Sequence, residues 1–142
     1  MEHLGYGLNW LAIVVSATVF MVVGGLWYSP FLAGKAWMKE MGYTAESIKT
    51  DGAKPGPAMA KATLASLVAS IGLAVLLNMG SLGSLDWLGG ALTGFFVSVV
   101  VVGGATLPNY AFENRSLRHF LIHIGNTTVA MTFAGAILAA WR

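Results

Sequence analysis

His119 and His123 stand four residues apart, and Asn126 follows three residues later. On a helix these spacings put all three side chains on one face. Imidazoles within an apolar helix are costly to bury, which invites a functional reading. Two such rings one turn apart can relay a proton or hold an anion together with Arg115 and Arg118. They can also bind a divalent metal if a carboxylate joins them. Glu113 and Asn109 fall at the same depth across a short turn, and Glu113 is the carboxylate within reach. The plainer account puts His119 at the lipid headgroups and gives His123 a hydrogen bond to a neighbouring helix. Asn9, Ser16 and Ser98 are further polar residues within apolar stretches. With Asn109, Glu113, His119, His123 and Asn126 they make up a candidate polar pathway or ligand face. For Asn9 and Ser16 the plainer role is packing between helices.

No catalytic constellation accompanies these residues, and nothing in the sequence points to an enzyme or a cofactor. The chain has no cysteine, which excludes disulfides, thiolate metal sites and cysteine catalysis. Gly52-Ala53-Lys54-Pro55-Gly56 lacks the spacing of a phosphate-binding loop. Glu2, Asp86 and Glu113 sit at the ends of apolar runs, and Glu40, Glu46 and Asp51 lie between them. That distribution argues against an ion pump built on buried carboxylates. Ser29, beside Pro30, reads as a turn residue. Met59, Met79 and Met131 read as packing.

The elements that must position the histidines are apolar helices. Of 142 residues, 56% are hydrophobic and 10% charged, against about 25% charged in a soluble domain. The mean hydropathy is +0.71. The charges cluster and leave four long stretches free of them. Helices are expected over about residues 8–27, 57–79, 87–108 and 117–141, each long enough for a bilayer core of about 30 Å. The predicted fold is all-α: one polytopic membrane domain over residues 1–142, a bundle of four transmembrane helices. Met1 to Gly7 is a short polar lead carrying Glu2 and His3, with no basic region before the first apolar run. That run reads as a retained helix and not as a cleaved signal.

Residues 28–56 form the one long loop. Within it, Ala33 to Met41 is expected as a short interfacial helix, with Trp37, Met38 and Met41 toward lipid and Lys35, Lys39 and Glu40 toward water. Thr44 can cap a further turn through Lys49, and Asp51 to Pro57 is turn-rich linker. Ala62, Ser66 and Ser70 form a small-residue seam on the second helix. On the third, Gly94, Ser98, Val102, Ala105 and Asn109 share one stripe.

Seven of the eight lysines and arginines fall in or just after the loop between the first two helices or the turn between the last two: Lys35, Lys39, Lys49, Lys54, Lys61, Arg115 and Arg118. The positive-inside tendency then places both basic connections in the cytoplasm and both termini outside. The net charge of +2 and pI near 9.1 set orientation in this way and do not indicate nucleic acid. Trp10, Trp87 and Trp141 would form the outer aromatic belt, and Trp27, Tyr28 and Tyr110 the inner one.

Trp27-Tyr28-Ser29-Pro30 and Gly34-Lys35-Ala36-Trp37-Met38, with Tyr110 to Leu117 and the closing Gly135 to Trp141, carry a further signal. Together they resemble the small bacterial membrane proteins of domain-of-unknown-function family 1761. The resemblance implies four helices in the bacterial inner membrane and transfers no catalytic residue. From the polar residues at helix depth, the expected function is a small-solute or ion transporter or channel. Four helices of this length enclose little interior, so a homo-oligomer is expected. The alternative is an accessory or structural subunit packed against a larger membrane complex. The expected partners are the lipid bilayer and either itself or that complex.

Overall fold

The computed structural model describes residues 7–50 and 55–142, and those residues form an all-α fold. The polar lead around Glu2 and His3, and residues 51–54 of the turn-rich linker, lie outside the described residues. The elements are α1 (Trp10–Trp27), α2 (Gly34–Met41), α3 (Ala45–Thr50), α4 (Pro55–Leu77), a 3-10 turn (Gly80–Ser84), α5 (Trp87–Phe96), a π segment (Val97–Val102), α6 (Gly103–Phe112) and α7 (Leu117–Ala140). α5, the π segment and α6 run on as one helix. With α1, α4 and α7 it makes four helices long and apolar enough to cross a membrane.

Local chemistry sets the boundaries. α1 starts at Trp10 because Asn9 caps it, its side-chain oxygen accepting from the Ala12 N–H at 3.0 Å. The Asn9 amide also donates to the carbonyl of Trp141 at 3.2 Å. Asn9 therefore ties the start of α1 to the end of α7. Thr44 and Ser47 cap α3 reciprocally: Ser47 N–H donates to Thr44 Oγ1, and Thr44 N–H to Ser47 Oγ. Asp86 caps α5 through the Gly89 N–H at 2.8 Å. The third long helix continues four residues past Pro108, to Phe112. A membrane helix tolerates such a proline when neighbouring side chains and helices serve the freed backbone.

α7 is the central helix and packs against α1, α4 and α5. Gly90 and Gly94 of α5 lie directly on the backbone of α7 at Gly135 and Met131, and a Cβ on any of the three glycines would overlap a backbone carbonyl opposite. The apolar core joins Ala12 and Ile13 of α1, Leu73, Ala74 and Leu77 of α4, and Met131, Ala134, Leu138 and Ala139 of α7. It occupies the half of the bundle away from the histidines. Ser66 and Ser70 of the expected seam are buried, while Ala62 is exposed. Ser16 is fully buried in α1, and its hydroxyl has no partner among the described residues.

The π segment changes which residues face α7. The Gly103 N–H bonds the Ser98 carbonyl five residues back, so this turn holds one residue more than an α turn. Gly90, Gly94 and Ser98 face α7 at the regular spacing of four and are buried. An unbroken α-helix would continue the stripe through Val102, Ala105 and Asn109, as the sequence suggests. Instead it continues through Gly103, Thr106 and Tyr110, while Ala105 and Asn109 are exposed. Asn109 is thereby removed from the histidine face, and Tyr110 takes its place.

Candidate functional site

α7 begins where Ser116 caps it, its hydroxyl oxygen accepting from the His119 N–H at 3.0 Å. The same hydroxyl donates to the carboxylate of Glu40 on α2, and Arg118 lies 4.0 Å from the other Glu40 oxygen. α2 is thus clamped over the first turn of α7. One turn further, the Nε2 atoms of His119 and His123 are 3.0 Å apart. His119 is buried at 3% exposure, with the Tyr110 ring edge-on at 5.5 Å. Tyr110 also packs edge-on against Phe120, 5.4 Å between centroids.

The second histidine is held from α1. The Tyr28 hydroxyl lies 3.0 Å from Nδ1 of His123. Trp27 donates its indole N–H to the Ile122 carbonyl at 2.9 Å, and its ring lies where a Cβ on Gly125 would stand. The chain then turns back sharply. Ser29 Oγ donates to the Leu26 carbonyl at 2.6 Å, Ala33 N–H to Trp27 at 2.8 Å and Gly34 N–H to Ser29 at 3.1 Å. A Cβ on Gly34 would overlap the carbonyls of Tyr28 and Ser29, so the turn requires glycine there. The turn delivers Trp37 onto Tyr28, edge-on at 5.8 Å. Trp27, Tyr28, Ser29, Gly34 and Trp37, which carry part of the family resemblance, lie in and around the turn that sets Tyr28 against His123.

These contacts revise the inner aromatic belt. Trp27, Tyr28 and Tyr110 are half-buried against α7, whereas Trp10, Trp87 and Trp141 at the other end are exposed as a belt requires. Tyr28 and Tyr110, taken for headgroup anchors in the sequence, are part of the site. Glu113 is not. The turn passes through Asn114 in the left-handed region, φ 54°, and Glu113 pairs outside with Arg115 at 2.6 Å. Among the described residues no three histidine, aspartate or glutamate side chains gather to hold a metal. Arg115, paired with Glu113, stands over the Tyr110 ring at 5.9 Å, and Arg118 lies 4.0 Å from Glu40. Ser98 is also elsewhere, bonded to Thr128 at 2.9 Å between the π segment and α7.

The row Tyr28–His123–His119 has a defined proton chemistry. Burial, and secondarily the nearby Tyr110, pushes the Tyr28 phenol up to about 12. Tyr28 therefore keeps its proton at neutral pH and can both donate and accept. Between two neutral rings, the Nε2 pair shares a single proton. In one pattern Tyr28 donates to Nδ1 of His123 and His123 donates to His119. In the other His119 donates to His123, and His123 donates to the phenol oxygen. When a proton enters at the Tyr28 phenol and another leaves from Nδ1 of His119, one pattern converts into the other without leaving a net charge on either ring.

Two cavities flank the row. One, of about 100 Å³, lies between α6 and α7 and is lined by Tyr110, His123 and Thr127 among others. The larger, of about 420 Å³, lies between α1, α4 and α7 and is lined by Phe20, Met21, Gly24, Gly25, Tyr28, Met59, Ala62, Ser66 and Asn126. Asn126 lines this cavity, and its side-chain oxygen is buried away from the open space with no hydrogen-bond partner among the described residues. Of the eight residues expected to form a polar face, the structure brings His119 and His123 into contact and sets Asn126 further along α7 in the wall of the larger cavity. It disperses Asn9, Ser16, Ser98, Asn109 and Glu113.

The chain matches the family described as protein of unknown function (DUF1761) over residues 11–139, and it belongs to that family. No curated protein and no solved structure gives a match.

Proposed function

We propose that this DUF1761 member is a small-solute transporter that moves protons through Tyr28, His123 and His119. The observation that carries the reading is the unbroken hydrogen-bonded row from α1 into α7, 3.0 Å at each step. Histidine within a membrane span is costly, and a row that exchanges its protons without net charge is a way to use the pair. The row borders a cavity on α1, α4 and α7, while the other half of the bundle is filled by the apolar core. A site beside a cavity and backed by a packed core suits a carrier that rearranges better than an open channel.

In this reading the histidine end faces the cytoplasm of the bacterial inner membrane and both termini lie outside. The support is charge: the basic connections adjoin the histidine end, whereas Arg142 lies at the opposite end on the Leu82 carbonyl. The carrier works as a homo-oligomer. The supporting features are Gly72 and Gly104, where an added Cβ would meet open space and a second copy has room to approach.

The test is proton flux into proteoliposomes carrying an internal pH dye under an imposed pH gradient. Wild-type protein conducts above empty vesicles. His123→Leu and Tyr28→Phe each lower the flux at least about tenfold, as expected for removing a positioned proton carrier. Wild-type flux equal to that of empty vesicles, or full flux in both variants, overturns the reading.

A further inference from the structure

We infer that Tyr110 is the gate over the His119 end of the row, and that α6 carries it on a hinge at Gly103 and Gly104. The inference rests on the transport reading for what the gate serves, and on the packing of α6 alone for its motion.

The two halves of the third long helix are held differently. α5 is fixed, because Gly90 and Gly94 lie directly on the backbone of α7. The π segment is tied as well, through Ser98 and Thr128 at 2.9 Å. Beyond it, no hydrogen bond joins α6 to α7 among the described residues. Thr106 donates back to the Val102 carbonyl at 2.8 Å, and Thr127 to the His123 carbonyl at 3.1 Å. A cavity of about 100 Å³ lies between the two helices, bordered by Thr106, Tyr110, Phe120, His123 and Thr127. From Leu107 to Arg118 every residue except Tyr110 is exposed. One ring therefore holds the end of α6 to the bundle, edge-on to His119 at 5.5 Å and to Phe120 at 5.4 Å.

The backbone weakens where the fixed half meets the loose one. The wide turn closes at Gly103, whose N–H bonds the Ser98 carbonyl. Pro108 has no N–H to give the Gly104 carbonyl four residues back. Two departures from the α ladder thus meet at Gly103 and Gly104, and π turns and prolines are where helices bend. Bending there lifts Tyr110 from His119, which is 3% exposed with the ring in place. The row ends at His119, so its Nδ1 releases a proton while the ring is away.

The test is the rate at which diethyl pyrocarbonate labels His119, read by peptide mass spectrometry on the full-length protein in lipid nanodiscs. N-acetylhistidine in the same tube calibrates the reagent. The open state is the minor one, so Tyr110→Ala speeds labelling at least about tenfold. Tyr110→Phe keeps the ring and labels at the wild-type rate. Deleting Val100 removes the wide turn, and Pro108→Ala restores the missing N–H; each slows labelling. Labelling of Tyr110→Ala at the wild-type rate overturns the inference, as does labelling no slower than wild type in both hinge variants. Proton flux is measured on the same proteins. Labelling that follows the expected pattern without any wild-type flux keeps the gate and removes the proton reading. Flux in wild type with equal labelling in Tyr110→Ala removes the gate alone.

Discussion

The Tyr28 hydroxyl and Nδ1 of His123 lie 3.0 Å apart, although 95 positions of chain separate them. The bond fixes the end of α1 against α7 and gives the fold an alkaline signature. Burial raises the Tyr28 phenol from its ordinary value of 10.0 to about 12. The folded state therefore holds this proton more tightly than the unfolded chain. Its contribution is fully present below about pH 10 and is lost as pH rises from there toward 12. Unfolding in detergent followed against pH should show a decline over that window that Tyr28→Phe makes shallower. Parallel curves for the two proteins would contradict the assignment.

The π segment makes an asymmetric prediction. Between Ser98 and Gly103 the helix holds one residue beyond an α turn. Deleting Val100 should let the segment close into regular α-helix while Tyr110 keeps facing α7. Inserting one alanine after Val100 has no such outlet and should rotate Tyr110 away by about 100°. The chain lacks cysteine, so Tyr110→Cys with Phe120→Cys gives a clean cross-linking pair. The cross-link should survive the deletion and vanish with the insertion. In an unbroken α-helix both changes would remove it equally.

The same segment marks the limit of what the sequence discloses. Charge-free runs identify the four long helices, and a spacing of four identifies the His119–His123 pair, because both are regular properties of one helix. Val97-Ser98-Val99-Val100-Val101-Val102 carries no glycine, proline or charge to announce an extra residue. A regular continuation therefore selects Asn109, and the structure selects Tyr110. Tyr28 was hidden for a different reason. An aromatic residue at the end of an apolar run suits the headgroups as well as it suits a histidine on another helix, and only the fold decides. Asn9 falls inside the charge-free run that starts at Leu8, so the sequence counts it within the first helix, and only the structure makes it the cap. Glu113 was turned outward by the backbone at Asn114, φ 54°, which spacing does not reveal.

The clamp of α2 onto α7 separates into two effects. Ser116 both caps α7 and donates to Glu40. Ser116→Ala should cost about 1 kcal/mol of stability through the lost cap and should also release α2. Glu40→Gln should release α2 while changing stability by less than about 1 kcal/mol, since the Glu40–Arg118 pair is long and partly exposed. Hydrogen exchange at the amides of Trp37 to Met41 reports the release, and thermal unfolding in detergent reports the cap. Unchanged exchange in Glu40→Gln would remove Glu40 from the clamp.

The seam between α5 and α7 should be the least tolerant surface in the protein. Gly90, Gly94 and Gly135 bring two backbones into direct contact, and a Cβ on any of them meets a carbonyl that cannot rotate aside. Gly90→Ala, Gly94→Ala and Gly135→Ala should each cost about 2–3 kcal/mol, the upper range for an overpacked core. Gly72→Ala and Gly104→Ala add the same methyl group where nothing lies opposite within the protomer and should cost no stability in micelles, gaining up to about 1 kcal/mol from helix propensity. The two sets share chemistry and differ in the atoms opposite, so unfolding in mixed micelles separates packing from helix propensity. Equal costs in the two sets would mean that α5 and α7 do not meet through these glycines. The register that carries Ser98, Gly103 and Tyr110 along α7 would then fall with the seam.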